Sequence, residues 1–288
     1  MISTLASALI DGLALSMLYF MIASGFSLIF GLEDIVNFAH GSFFMLGAFV
    51  SYEVVSYTGS FYLGLLAAGI AMAILAALVE SGLLRRKFGN EMAIIMLTLG
   101  IMYIIHHGAL LRYGAASSTY GTIPSYIQGT LKPGPIIINK YRLFIIVLGF
   151  IIAGGVFLFL NRTNVGLIVR AGIDDVDMAK ALGANTKRTF TLVFAVGSAL
   201  AGLGGAAAVG WIYASVDLGL NYLFFAFAIV VIGGLGSFKG TFYAALLAGI
   251  IHELFAYYIP FLAGPSLFIL MAAVLLLKPE GLLGGATQ

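Results

Sequence analysis

Residues 12–52 read GLALSMLYFMIASGFSLIFGLEDIVNFAHGSFFMLGAFVSY, with no Asp, Glu, Lys or Arg from Gly12 to Leu32, then Glu33 and Asp34, then none from Ile35 to Tyr52. A charge at mid-bilayer costs about 2.5 to 3.5 kcal/mol. An uncharged apolar run of about twenty residues is therefore read as a membrane-spanning helix. The second run is different, because Asn37, His40, Gly41 and Ser42 stand between two strongly apolar stretches. A broken or re-entrant helix accounts for it, since non-helical backbone at membrane depth is tolerated only where protein or a water-filled cavity satisfies it. Broken helices are also where many transporters bind their solutes. Asn37, His40 and Ser42 are therefore candidates for a translocation pathway, with satisfaction of the broken backbone as their other role.

Composition extends this reading to the whole chain. Of 288 residues, 61% are hydrophobic and 9% charged, with 14 Lys and Arg against 12 Asp and Glu. A soluble domain carries about 25% charged residues, so this balance weighs against a soluble enzyme, a nucleic-acid binder and a disordered chain. Without cysteine, the chain has no disulfide framework and no thiolate nucleophile or metal ligand. The N-terminal stretch Met1 to Ile10 lacks Lys and Arg and leads into a long uncharged run, so it is read as part of the first span and not as a cleaved leader. Further uncharged runs are Val54–Val79, Met92–Leu111, Leu143–Asn161, Thr189–Val216 and Leu218–Phe238. Glu253, Pro260 and Pro265 divide the remainder into helices at about 240–259 and 261–277. The expectation is an all-α polytopic membrane protein of about eight transmembrane helices, one of them broken or re-entrant, forming a single domain over 1–288.

Lys and Arg in short loops are retained on the cytoplasmic side. The cluster Arg85, Arg86, Lys87 and the group Arg162, Arg170, Lys180, Lys187, Arg188 are placed there, which makes 162–188 a cytoplasmic loop and 112–142 an external one. Alternation then puts Lys239, Lys278 and the C-terminus inside and leaves the N-terminal side open. Within the cytoplasmic loop, residues 174–183 have the punctuation of a helix: Asp174 or Asp175 at the start, Lys180 near the end and Gly183 as terminator. Val176, Ala179 and Leu182 form one small apolar face. So short a helix is unstable alone, and it packs either on this chain's own helices or in a groove of a cytoplasmic partner.

Gly197, Ala201 and Gly205 recur at four-residue spacing, a row that lets membrane helices approach closely. His106 and His107 are adjacent and point to different sides of a helix, so they are poor co-ligands. Asp11, Glu53 and Glu80 lie near helix ends, from which they reach the interface. Asp217 reads as a helix cap, with contact to an external binding protein as its other role. The motif His40-Gly41-Ser42-Phe43-Phe44 aligns with Lys239-Gly240-Thr241-Phe242-Tyr243, a pairing that suggests an internal repeat. No set of side chains forms a catalytic or metal constellation.

Four stretches in order resemble one family. They are Gly25–Gly31 through Ile35–Gly41 and Met45–Ala48, Arg170–Ala171 through Ala179 and Leu182–Asn185, Val231–Ser237 with Gly240, and Leu277–Gly284. Together they resemble the branched-chain amino acid ABC-importer permeases, in particular the LivH-like subunits. The resemblance implies the ABC importer permease fold and an assembly of two permease subunits, two cytoplasmic ATP-binding subunits and an extracytoplasmic binding protein in the plasma (inner) membrane. It implies that Asp175, Val176, Ala179, Leu182 and Gly183 belong to the helix coupling this chain to an ATPase. ATP and Mg would bind in the partner subunits, with no cofactor in this chain; the absence of a G-x-x-x-x-G-K-[ST] sequence agrees. The resemblance favours leucine, isoleucine or valine as substrate and a heterodimeric permease. The residues alone leave an alternative, a self-sufficient secondary transporter or channel for a small polar solute, although the uncharged runs offer few ion-binding carboxylates.

Overall fold

The computed structural model describes residues 2–34, 36–114, 123–132, 134 and 136–284. Eleven α-helices are present among them: α1 (Ile2–Glu33), α2 (Ala39–Thr58), α3 (Phe61–Gly82), α4 (Glu91–Tyr113), α5 (Lys140–Arg162), α6 (Asn164–Asp174), α7 (Val176–Ala181), α8 (Thr186–Ala208), α9 (Leu218–Gly233), α10 (Phe238–Tyr258) and α11 (Ser266–Leu277). Six are long and apolar enough to cross a membrane: α1, α3, α4, α5, α8 and α10. The expected eight spans thus become six long helices, supplemented by α2 and the shorter apolar α9 and α11. In the loop expected over 112–142, the described residues form a two-residue antiparallel hairpin, β1 (Thr130–Leu131) with β2 (Ile138–Asn139).

Helix starts are set by side chains that accept the free backbone N–H groups of the first turn. Ser60 caps α3 through Leu63 N, Asn90 caps α4 through Ala93 N, Thr163 caps α6 through Gly166 N and Ser237 caps α10 through Gly240 N. Asp217 holds the cap position of α9 without a side-chain bond, so the capping role expected for it is not filled.

The centre of the bundle is α1, where Met17, Leu18, Phe20, Met21, Ile22 and Ala23 are all fully buried. It runs antiparallel to α10: Gly12 meets Ile250, Phe20 meets Phe238 and Phe242, and Gly31 meets Gly236. On α8, Gly197 faces Gly25 and Ile29 of α1, Gly202 faces Met72 of α3, and Gly205 faces the Phe44 carbonyl of α2. Ala201 between them is fully buried, so the small-residue row packs within this chain. The outer helices carry exposed apolar stripes, such as Leu66, Ile70, Ile74 and Leu78 on α3, suited to lipid or to another membrane subunit.

One end of the bundle, the basic face, holds Arg85, Arg86 and Lys87 after α3, Arg162 at the end of α5, and the α6–α7 segment leading into α8. The start of α1 lies at the opposite face, next to Arg142 at the start of α5 and Tyr257 at the end of α10. This fixes the N-terminal side relative to the basic loops.

At the basic face Glu80 is fully buried and takes both arms of Arg85, Nε at 3.0 Å and Nη2 at 2.7 Å. Thr191 of α8 donates to the same carboxylate at 2.6 Å, so one forked ion pair joins α3 to the first turns of α8. Removing the cation leaves a buried carboxylate without its partner, the more damaging half of such a deletion. Arg85→Ala is therefore expected to lower the unfolding midpoint of the full-length chain in nanodiscs more than Glu80→Gln. The double variant should fall short of the summed effects by about 0.5–3 kcal/mol. Strict additivity would show that the pair does not link the helices.

Candidate functional site

The polar break foreseen around Asn37 lies between two helices. Asp34, at φ +52°, is the one non-glycine residue with positive φ among those described, and it ends α1 with its N–H on the Phe30 carbonyl at 2.8 Å. Asp tolerates this left-handed conformation better than most residues. The chain then turns back into the bundle. Asn37 is buried, and its Oδ1 accepts from Ala39 N at 3.1 Å, while His40 N donates to the Asn37 carbonyl at 3.2 Å. His40 Nε2 lies 2.9 Å from the Ile22 carbonyl. Ile22 precedes Glu33 by eleven residues, or about 16 Å of helix. The start of α2 is thus well inside the bundle, at the depth of Ile22.

This segment leaves polar capacity unused. A carbonyl only accepts, so the proton of that bond sits on His40 Nε2, and in a neutral ring Nδ1 is then an acceptor. Nδ1 has no partner, and neither has the Asn37 Nδ2 donor; both atoms are buried. On α8, next to Gly197, the buried Ser198 hydroxyl is likewise unpaired. Ser42 is buried on the first turn of α2. Buried polar atoms without partners are uncommon and call for a ligand, water or strain to explain them.

A second irregular segment, not foreseen from the sequence, meets the first. After α8 the chain is non-helical through residue 217, yet Ala214 and Val216 are buried. The start of α9 touches the start of α2: a Cβ on Gly41 would lie 2.0 Å from the Gly219 carbonyl oxygen. Leu223 faces Gly41, Met45 faces Gly219, and the rings of Phe44 and Tyr222 stack at 4.4 Å and 14°. The pattern Gly-x-x-aromatic-aliphatic at 41–45 is thus matched by the one at 219–223 across a local two-fold relation. From this crossing α2 runs to the face opposite the basic one, where it meets the start of α3, and α9 runs to the basic face. The structure pairs Gly41 with Gly219, whereas Gly240, its partner in the sequence alignment, packs on Gly233. The signal that would have located the second segment is the recurrence of glycine three residues before an aromatic.

At the basic face, Asp175 caps α7, its Oδ1 accepting from Asp177 N and Met178 N at 2.9 Å each. Lys180 sits 2.9 Å from Asp177 and holds that carboxyl below its usual range. Gly183, at φ +88°, terminates the turn, and Asn185 caps α8 through Arg188 N. The single apolar face expected from Val176, Ala179 and Leu182 is divided. Ala179 is buried and Val176 lines a narrow crevice with Leu32, Gly172 and Phe190, whereas Leu182 is 81% exposed beside the exposed Met178. A short helix aims successive apolar residues in different directions, and the turn at Leu182 adds to this. Helix α6, immediately before it, was not foreseen.

Asp11, Glu53 and Glu80 were expected to reach the interface separately. Each instead has a cationic partner, Arg142, Arg112 and Arg85 respectively, and Asp11 and Glu80 are buried. Residues 115–122 of the loop expected over 112–142 lie outside the described residues.

A bundle of membrane-spanning helices with two inward breaks defines a multi-pass membrane protein. The chain belongs to the family described as the branched-chain amino acid transport system permease component, whose model matches residues 8–278. It is 27% identical to the high-affinity branched-chain amino acid transport system permease protein BraD of Pseudomonas aeruginosa, covering 96% of this chain and 94% of that protein. Identity to LivH of Escherichia coli, a permease protein of the same kind of system, is 26%, covering 95% of this chain and 94% of LivH. Escherichia coli LivM is 24% identical, with 95% of this chain matching 69% of LivM. Among solved structures, PsaBC from Streptococcus pneumoniae in complex with Fab shares the fold with a TM-score of 0.51 at 14% identity, over 93% of this chain and 89% of that one.

The crossing is asymmetric, which makes it testable. A Cβ on Gly219 would lie 3.3 Å from the Gly41 carbonyl, against 2.0 Å in the reverse sense. Gly41→Ala is expected to destabilise the purified chain by about 1–3 kcal/mol, as overpacking against backbone does, and Gly219→Ala by less. Thermal unfolding of the two variants checks the order, and equal midpoints would contradict the crossing.

Proposed function

We propose that this chain is a transmembrane permease subunit of an ATP-driven importer of amino acids, with leucine, isoleucine and valine as its substrates. The observation that carries the reading is the connection between two sites: α7 leads within a few residues into α8, and the glycine row of α8 lies against α1, α2 and α3 around the polar break. A movement imposed on α7 is thereby delivered to the helices that surround Asn37, His40 and Ser42. The Glu80–Arg85–Thr191 contact carries it to α3 as well.

In this reading the basic face is cytoplasmic, following the retention of Lys and Arg on that side, and so is the C-terminus. One ATP-binding subunit docks there, taking Leu182 and Met178 as apolar anchors, while Asp175 and Gly183 hold the shape of α7, and a second ATP-binding subunit docks on the partner permease. ATP and Mg are bound and hydrolysed in those subunits, and this chain performs no chemistry. A second, related permease subunit completes the pathway, and an extracytoplasmic binding protein presents substrate at the opposite face. Nucleotide binding biases one of two bundle arrangements, and the unpaired groups of Asn37 and His40 receive the passing amino acid's polar end.

Leu182→Asp places a charge at the exposed anchor without touching the buried side of α7. With the assembled importer in proteoliposomes, the variant should lose co-purifying ATPase subunit and nucleotide-driven leucine uptake, by roughly thirtyfold for a hot-spot residue of about 2 kcal/mol. Unchanged uptake with normal assembly would refute docking through α7.

A further inference from the structure

At the face opposite the basic one, a cavity of about 460 Å³ opens between the first turns of α1, the β1–β2 hairpin, the start of α5 and the end of α10. Thr4, Ser7, Asp11, Ile137, Arg142 and Tyr257 line it. Its size falls within the range of small-molecule sites, and its walls carry one charge of each sign.

The two charged residues are bonded in an unusual way for this protein. Glu80 and Arg85 form a fork in which both carboxylate oxygens and the Nε of arginine are used. Asp11 and Arg142, by contrast, meet through one arm. Arg142 Nη1 and the Tyr257 hydroxyl, the latter at 2.8 Å, both fall on the same oxygen of Asp11, Oδ2. Arg142 Nε is buried and has no partner, although Asp11 is 96% removed from solvent contact, being 4% exposed. The guanidinium is held from its other side by the ring of Trp211, 4.7 Å away. The pair is therefore anchored, and the cation keeps a spare N–H donor at Nε, while Asp11 lines the cavity beside it. Glu253, one helical turn before Tyr257, also interacts electrostatically with both charges, so this neighbourhood holds one more acid than base.

A free α-amino acid has the matching arrangement, a carboxylate and an ammonium on one carbon. It adds no net charge to a partly buried site, whereas a lone anion or cation would be desolvated without compensation. The geometry points to a receiving site for a zwitterionic amino acid in this cavity, with Arg142 taking the carboxylate, Asp11 the ammonium, and Ile137 alongside the side chain. This site rests on the reading of the chain as an amino-acid permease and adds to it a first station at the mouth, separate from the break at Asn37 and His40. Arg142 and Asp11 lie 131 positions apart in sequence, and only the folding of α5 beside α1 joins them.

Trp211 is the single tryptophan of the chain, so it reports on its cation directly. The experiment is a titration of its emission in the full-length chain in nanodiscs with L-leucine, with 4-methylpentanoate, which lacks the amine, and with 3-methylbutylamine, which lacks the carboxylate. Leucine is expected to give a saturable change, and each analogue a half-saturation about tenfold or more weaker, the size of one lost hydrogen bond to a charged group. Asp11→Asn, which keeps the side-chain shape, should weaken leucine by a similar factor. A silent Trp211, or analogues that match leucine, would overturn the site, and the analogue series does so on the unaltered chain without reliance on any variant. Nucleotide-driven leucine uptake by the assembled importer keeps the two readings apart: uptake with a silent Trp211 overturns this site alone, and absent uptake strikes the transport reading itself.

Discussion

Apolar side chains gain little by leaving lipid for a helix interface, so a membrane bundle is held by close packing and by hydrogen bonds across its interfaces. In this chain that constraint is met by backbone lying on backbone. Gly25 against Gly197, Gly47 against Gly202, Gly12 against Ile250 and Gly41 against Gly219 bring α1, α2, α8, α9 and α10 into contact with no side chain between them. The same device closes the basic end. Gly31 meets Gly236, Gly234 meets Gly284, and the N–H groups of Leu282 and Leu283 donate to the carbonyls of Ile232 and Gly233. The late glycine-rich stretch and the C-terminal stretch, separate motifs in the sequence, are two halves of one packed junction.

Charge was the feature of the sequence that could be read most directly, because its penalty in hydrocarbon is large and local. Runs bounded by charged residues located α4, α5 and α10 within a few residues, whereas the run from Val54 took in the end of α2 together with α3. The same reasoning saw the break at 34–38, where Glu33, Asp34, Asn37 and His40 interrupt the apolar pattern. It was blind to the break after Ala208, since Trp211, Ile212, Tyr213 and Ala214 are as apolar as any helix. The backbone there leaves the helix because of where α9 must start, and that is a tertiary demand with no local charge signature.

The site residues divide along the same line. Asn37, His40 and Ser42 could be picked out as polar groups in an apolar setting. Gly219 and Tyr222 could not, being ordinary members of a membrane helix until Gly41 and Phe44 are set against them. Leu182 was legible as apolar, but the division of α7 into an inward side and an outward one depends on Leu32, Gly172 and Phe190, which belong to other elements. Asp11 read as an end-of-helix charge and Arg142 as the boundary of the external loop, and their pairing is a property of the fold.

The depth at which α2 and α9 begin has a consequence for the dielectric barrier that any polar solute must face. Hydrocarbon about 30 Å thick would present one continuous wall to a charged or zwitterionic molecule. Two helices that start at a common crossing and leave toward opposite faces divide that wall into an outer and an inner partition, each much thinner than the whole. On the proposed route, each partition can open in turn by shifting one short helix, so the membrane stays sealed by the other, and the solute is never required to cross the full thickness at once.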